Sequence, residues 1–154
     1  MKRTDLPTEL QQLLREVPYA TIATVRPDGQ PWSTPLYVVF DKDLTMYWVS
    51  TPTNQHSQNI LCDPRIFATV FDSHAPEGAG FGLYLQMTAQ VLTKSADIAK
   101  ARKLYTSSYG EPGTHNPFGP DCLRKLYKAT PTAIWHNCDY NASNEILDAR
   151  RQLA

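Results

Sequence analysis

Apolar residues recur with a strand period along most of this chain and with a helix period in a few places. Leu10, Leu13, Leu14 and Val17 fall at helical spacing and predict an amphipathic helix from Thr8 to Arg15. Tyr19 to Val25, rich in β-branched and small apolar residues, predicts a first strand. Pro27-Asp28-Gly29 then predicts a hairpin turn: proline presets the first turn position and glycine takes the left-handed conformation. The returning strand, Trp32 to Asp41, is apolar on both faces from Leu36 to Phe40, which predicts burial on both sides. Asp41-Lys42-Asp43 turns again, and Thr45 to Thr51 forms a third strand. After Pro52, Thr53 or Asn54 caps a short helix reaching Leu61, which Asp63-Pro64 stops.

Ile66 to Phe71 predicts a fourth strand, and Ser73 to Gly80 a loop. The clearest alternation follows, with Leu83, Leu85, Met87, Ala89 and Val91 on one face and Tyr84, Gln86, Thr88 and Gln90 on the other. Ser95 caps a helix over Ala96 to Ser108, whose stripe is Ile98, Ala101, Leu104 and Tyr105 and whose end is Gly110. Glu111 to Pro120 reads as an irregular loop and Asp121 to Lys128 as a short helix. Thr132 to Tyr140 forms the last strand, and Ser143 caps a closing helix with Ile146, Leu147, Arg150 and Leu153 at helical spacing. Six short strands with peripheral helices predict a mainly β fold, a closed six-stranded antiparallel barrel with the opening helix as a lid over one end. Residues 1–154 form a single domain on this reading. Strands apolar on both faces, with few helices to cover them, predict a homodimer.

Charge narrows the partners. Lys and Arg number 15 and so do Asp and Glu, so no bulk charge favours nucleic acid or an anionic membrane. No apolar run is long enough to span a bilayer, and Met1-Lys2-Arg3 is followed by polar Thr4-Asp5 rather than an apolar leader. The three cysteines, Cys62, Cys122 and Cys138, form no C-x-x-C pair, which fits a reducing, cytoplasmic setting. His56, His74, His115 and His136 are scattered, and His136-Asn137-Cys138 reads as structural rather than as a metal site. No nucleophile motif, P-loop, G-x-G-x-x-G or H-E-x-x-H occurs.

The third strand ends in the hydroxyls Ser50 and Thr51 and leads into the short helix, whose free N–H groups suit an anion such as a phosphate. The order of parts supplies a sharper lead. Ala20 to Pro31, Ser33 to Phe40, the Ser50/Thr51 strand end, the helix reaching Asn59-Ile60 and Asp63-Pro64-Arg65 together resemble the pyridoxamine 5'-phosphate oxidase-like, FMN-binding split-barrel family. The resemblance is strongest from Leu10 to Thr93.

That resemblance implies a split barrel with FMN in a cleft between two subunits. It implies Trp32, Ser33 and Thr34 against the ring or ribityl chain, Ser50 and Thr51 at the ribityl-phosphate, and His56, Gln58 and Asn59 at the phosphate. It further implies Gln86 offering an amide to the flavin and Trp135 closing over the ring from the partner subunit. Two departures stand out. The short helix holds Gln55, His56 and Gln58 but no lysine or arginine, so His56 is expected to supply the positive charge, with its pKa raised by the phosphate. The C-terminal arginine and histidine pattern of true pyridoxamine 5'-phosphate oxidases is not recognisable in Thr132 to Ala154. The expected activity is an FMN-dependent oxidoreduction of an unidentified small molecule, since flavin chemistry asks little of side chains. The alternative is a non-catalytic flavin-binding, haem-binding or stress-response module on the same barrel, with haem or a deazaflavin as the other cofactors.

Overall fold

The computed structural model describes residues 1–76, 80–110, 123–140 and 146–154, and of 138–140 and 146–148 the backbone alone. In chain order the elements are α1 (Thr8–Glu16), β1 (Tyr19–Val25), β2 (Pro31–Phe40), β3 (Met46–Ser50), α2 (Gln55–Cys62), β4 (Arg65–Phe71), β5 (Gly82–Val91), α3 (Ser95–Tyr109), β6 (Lys125–Tyr140) and β7 (Ile146–Gln152). The strands pair antiparallel in the order β3-β2-β1-β4-β5-β6-β7, and β3 also pairs with β6, so six strands close into a barrel. β7 lies outside that ring, on the far half of β6.

Local chemistry explains most of these elements. Gly29 takes φ +84° in the hairpin between β1 and β2, and its N–H donates to the Arg26 carbonyl. Leu83, Leu85, Met87 and Ala89 of β5 are all buried, as their alternation predicts. They join the main core with Ile22, Val38, Trp48, Ile66 and Val70, and α1 adds Leu10, Leu13 and Leu14 to the same core. The second apolar face of β2 and β3 is covered within the chain. Val39 and Tyr47 pack with Leu126 under Ala101 and Tyr105 of α3, and Ile98 and Leu104 flank them. Gly110, at φ +80°, ends α3. Part of the burial that a partner was expected to provide therefore comes from α3.

Three expectations change. Ile146 to Gln152 is a strand, not a helix: β6 runs past β5, and its open edge captures the segment in antiparallel register, Trp135 opposite Gln152 and Asn137 opposite Arg150. Tertiary pairing overrides an ambiguous local period here. Residues 125–128, expected to end a short helix, instead begin β6 and close the barrel against β3. Pro131, expected to separate elements, lies inside β6 at a register shift, where Thr132 is the extra residue between the Gln86–Ala133 and Met87–Pro131 pairs. The caps also differ in detail. Lys94 occupies the N-cap of α3, one residue before the expected Ser95, and neither it nor Asn54 at α2 makes a side-chain cap bond. The expected loop at 111–120 and the caps at Asp121 and Ser143 lie outside the described residues.

Candidate functional site

The sequence places a candidate anion site where β3 meets α2, and the structure builds that junction from hydroxyls and amides turned inward. Ser50 is buried at the end of β3. Its Oγ lies 2.7 Å from His56 Nε2, accepts a bond from Asn54 Nδ2 at 3.0 Å and lies 3.5 Å from the Ser57 hydroxyl. With the Asn54 amide donating to Ser50, the Ser50 hydroxyl has its own proton to give to His56 Nε2. Asn59 is fully buried and donates to Thr24 Oγ1 at 2.9 Å. Gln58 is exposed and donates to the Pro52 carbonyl, and Thr51 is half-buried.

His56 therefore cannot serve as the surface cation expected of it. It is 3% exposed, and burial pushes its pKa below the ordinary value. The unfolded chain, with histidine near pKa 6.5, takes up the proton first. Stability from neutral His56 is thus fully present above about 6.5 and is lost as pH falls below it toward the lowered folded value. Acidification through that window should lower the melting temperature of the wild type more than that of His56→Gln, as followed by thermal melts. Equal slopes would mean that His56 takes up its proton in the folded protein at the same pH as in the unfolded chain.

The remaining candidates meet on the outer face of the sheet. Cross-strand register puts Ser33, Ala23, Phe67, Gln86 and Ala133 in one row and Pro35, Thr21, Thr69, Tyr84 and Trp135 in the next. Ser33, Gln86 and Trp135 thus share one continuous face, although Ser33 and Gln86 lie three strand spacings, about 14 Å, apart. Trp32 and Thr34 alternate to the opposite side of β2 from Ser33, Trp32 opposite Thr24 and 41% exposed.

Three residues not anticipated at the site complete this face. Phe67 stacks on Trp135 with ring centroids 6.1 Å apart and lies 6.5 Å from Tyr84. The Arg150 guanidinium sits 4.1 Å over the Tyr84 ring and 5.7 Å from Phe67. Among the described residues no carboxylate pairs with Arg150. Gly82 makes room for the arrangement, because a Cβ there would come within 2.9 Å of the Tyr84 hydroxyl. The alternation of β5 already put Tyr84 on the Gln86 face; Arg150 was hidden by the helical reading of its segment. Among the described residues no group of three or more His, Cys, Asp or Glu is placed to hold a metal ion.

The family model for pyridoxamine 5'-phosphate oxidase matches residues 6–138. The chain belongs to the pyridoxamine 5'-phosphate oxidase family. Among curated proteins none matches significantly. Solved structures share the split-barrel fold of the family. The haem storage protein HutZ from Vibrio cholerae superposes with a TM-score of 0.71 at 16% identity, covering 84% of this chain and 92% of that one. An F420 reductase gives 0.63 at 26% identity, covering 84% and 98%. A haem-binding protein from Mycobacterium smegmatis gives 0.71 at 12% identity, covering 97% and 59%. Proteins with this barrel are thus named for haem or for F420, and a ligand for this chain has to be argued from its own side chains.

Proposed function

We propose that this chain is an FMN-binding oxidoreductase acting on a small molecule as a homodimer. The observation that carries the reading is the outer face on which Ser33, Gln86 and Trp135 meet Phe67, Tyr84 and Arg150. The rings offer a flat apolar surface to a planar cofactor, and Arg150 offers positive charge where such a ring gains electrons. When bound, FMN supplies the acceptance and donation of electrons; the chain binds it, orients it and excludes water. The first turn of α2 suits the phosphate, since Asn54 turns its amide to Ser50 and leaves the helix N–H groups without a side-chain cap. That grip carries no fixed charge in α2, so Arg150 is the cation on which this reading depends.

A partner fits the same face. Tyr19, Val25, Tyr37 and Phe71 lie on it and are 54%, 45%, 41% and 49% exposed. α3 covers one end of this face and reaches Tyr37 through Tyr109, ring centroids 4.3 Å apart, yet leaves these four side chains exposed. A two-fold contact here would bury the exposed rings and close the cofactor face from both sides.

Arg150→Ala should weaken FMN binding about tenfold, the order of one charge-assisted contact, in a fluorescence-quenching titration. Arg150→Lys keeps charge but loses the planar stack and should fall between. Equal affinities in all three would remove Arg150 from the site.

A second reading is favoured by the F420 reductase likeness at 26% identity and by the uncharged α2. It is a protein of the same barrel that holds a deazaflavin or haem, or that binds without catalysing. An absorption spectrum of the purified protein separates these: flavin bands support FMN, a Soret band supports haem, and neither favours the non-catalytic module. Residence in the cytoplasm belongs to the proposal too; among the described residues no helix is long and apolar enough to cross a membrane.

A further inference from the structure

A partly buried chain of hydrogen bonds joins the two halves of the proposed site. Gln55 Nε2 donates to Asn59 Oδ1 at 2.8 Å, Asn59 Nδ2 donates to Thr24 Oγ1 at 2.9 Å, and Thr24 Oγ1 donates to the Trp32 carbonyl at 3.3 Å. Gln55 opens α2, where the phosphate is proposed to sit, and Trp32 immediately precedes Ser33 on the ring-contacting strand. Asn59 is 0% and Thr24 1% exposed, so neither can touch a ligand on the surface.

The chain runs in one direction. The Thr24 oxygen is occupied by the Asn59 amide, and its single proton goes to the Trp32 carbonyl. Ile60 anchors the same helix in the core through apolar contact. Apolar packing alone does not fix the position of α2 along the barrel. Directional bonds do: His56 and Asn54 tie it to Ser50 of β3, and Asn59 ties it to Thr24 of β1, the link that continues to β2.

We infer that Thr24 is a positioning residue: through Asn59 on one side and the Trp32 carbonyl on the other, it sets the separation between the first turn of α2 and the Ser33 segment of β2. A ligand that bridges two contacts gains from the second only when both are held in register. FMN, with ring and phosphate at opposite ends, is such a ligand, while riboflavin has the ring end alone. The inference rests on the proposed FMN reading.

The test is the ratio of FMN to riboflavin affinity, by fluorescence quenching, in wild type, Thr24→Val and Thr24→Ser. Thr24→Val keeps the shape and removes both hydrogen bonds; Thr24→Ser keeps the hydroxyl. Riboflavin affinity should stay within about twofold in all three, while the ratio should fall roughly tenfold in Thr24→Val and recover in Thr24→Ser. An unchanged ratio in folded Thr24→Val overturns the inference, and so does equal weakening of both ligands, which a merely structural role would give. Should Thr24→Val fail to fold, Asn59→Ser removes the amide bond to Thr24 at a residue with no surface contact and is read by the same ratio, a fall supporting the inference and no change overturning it. No saturable flavin binding by the wild type overturns the cofactor reading itself, an outcome distinct from the other failures.

Discussion

Leu85→Asp should abolish folding. Leu85 is 0% exposed in the middle of β5, paired with Ala68 on β4 and Ile134 on β6, both buried. A carboxylate there sits between Ala68 and Ile134 in an apolar core with no cation in it. An uncompensated charge at such a position costs several kcal/mol, against a typical total stability of about 5–15 kcal/mol. The adjacent Gln86 is exposed on the other face, so Gln86→Asp should fold nearly normally. Circular dichroism melts of the pair read the face assignment directly. A soluble Leu85→Asp protein with a cooperative melt would show that the alternation has been read one residue out of register.

The second large effect is at Asp41, which is 5% exposed in the turn between β2 and β3. Its Oδ1 accepts the backbone N–H groups of Asp43 and Thr45 at 2.9 and 3.0 Å; its Oδ2 accepts the Tyr47 hydroxyl at 3.2 Å and Lys100 Nζ at 2.8 Å. One carboxylate thereby shapes the turn and pins α3 over the second core cluster. Asp41→Ala should cost about 2–3 kcal/mol, chiefly from the backbone donors and phenol left unmatched. Lys100→Met should cost less, about 1 kcal/mol, since the Lys100 side chain is 55% exposed and its pairing is screened by solvent.

The pH dependence has a definite sign. Burial pushes the Asp41 pKa up, but the bonds from Lys100, Asp43 and Thr45 outweigh it and hold the group below its ordinary value. Its contribution is complete above the unfolded value of about 3.9 and is lost as pH falls through the lowered folded one. Melts at neutral pH and near pH 3 should show the gap between wild type and Asp41→Ala narrowing in acid. A variant within about 0.5 kcal/mol of wild type at neutral pH would contradict the anchoring role.

How far the sequence could be read depended on whether the deciding partner lay nearby in the chain. β1, β2, β4 and β5 were legible because turn chemistry and alternation are local, and the Leu85 face is the plainest case. β7 was not: Ile146, Leu147, Arg150 and Leu153 fit a helix, and only the unpaired edge of β6, supplied from elsewhere, makes the segment a strand. Misreading that segment hid Arg150, the cation that the proposed site takes in place of one in α2. Ser33, Gln86 and Trp135 were proposed from the order of parts, and the register places them on one face. His56 and Asn59 were assigned to a ligand because a helix whose first five residues are all polar does not reveal which of them meet Ser50 and Thr24. The two-faced apolar strands were read correctly as needing cover, but α3 provides part of it, so the case for a dimer now rests on the face holding Tyr19, Tyr37 and Phe71.

The central claim is a flavin held on a face that two copies of the chain share. The measurement that tests it most directly is light scattering on the FMN-loaded protein after gel filtration, with visible absorbance recorded in line. The account predicts a single species at twice the chain mass of 17.4 kDa, with flavin absorbance travelling in the same peak. A 17.4 kDa monomer whose peak carries no flavin would contradict it.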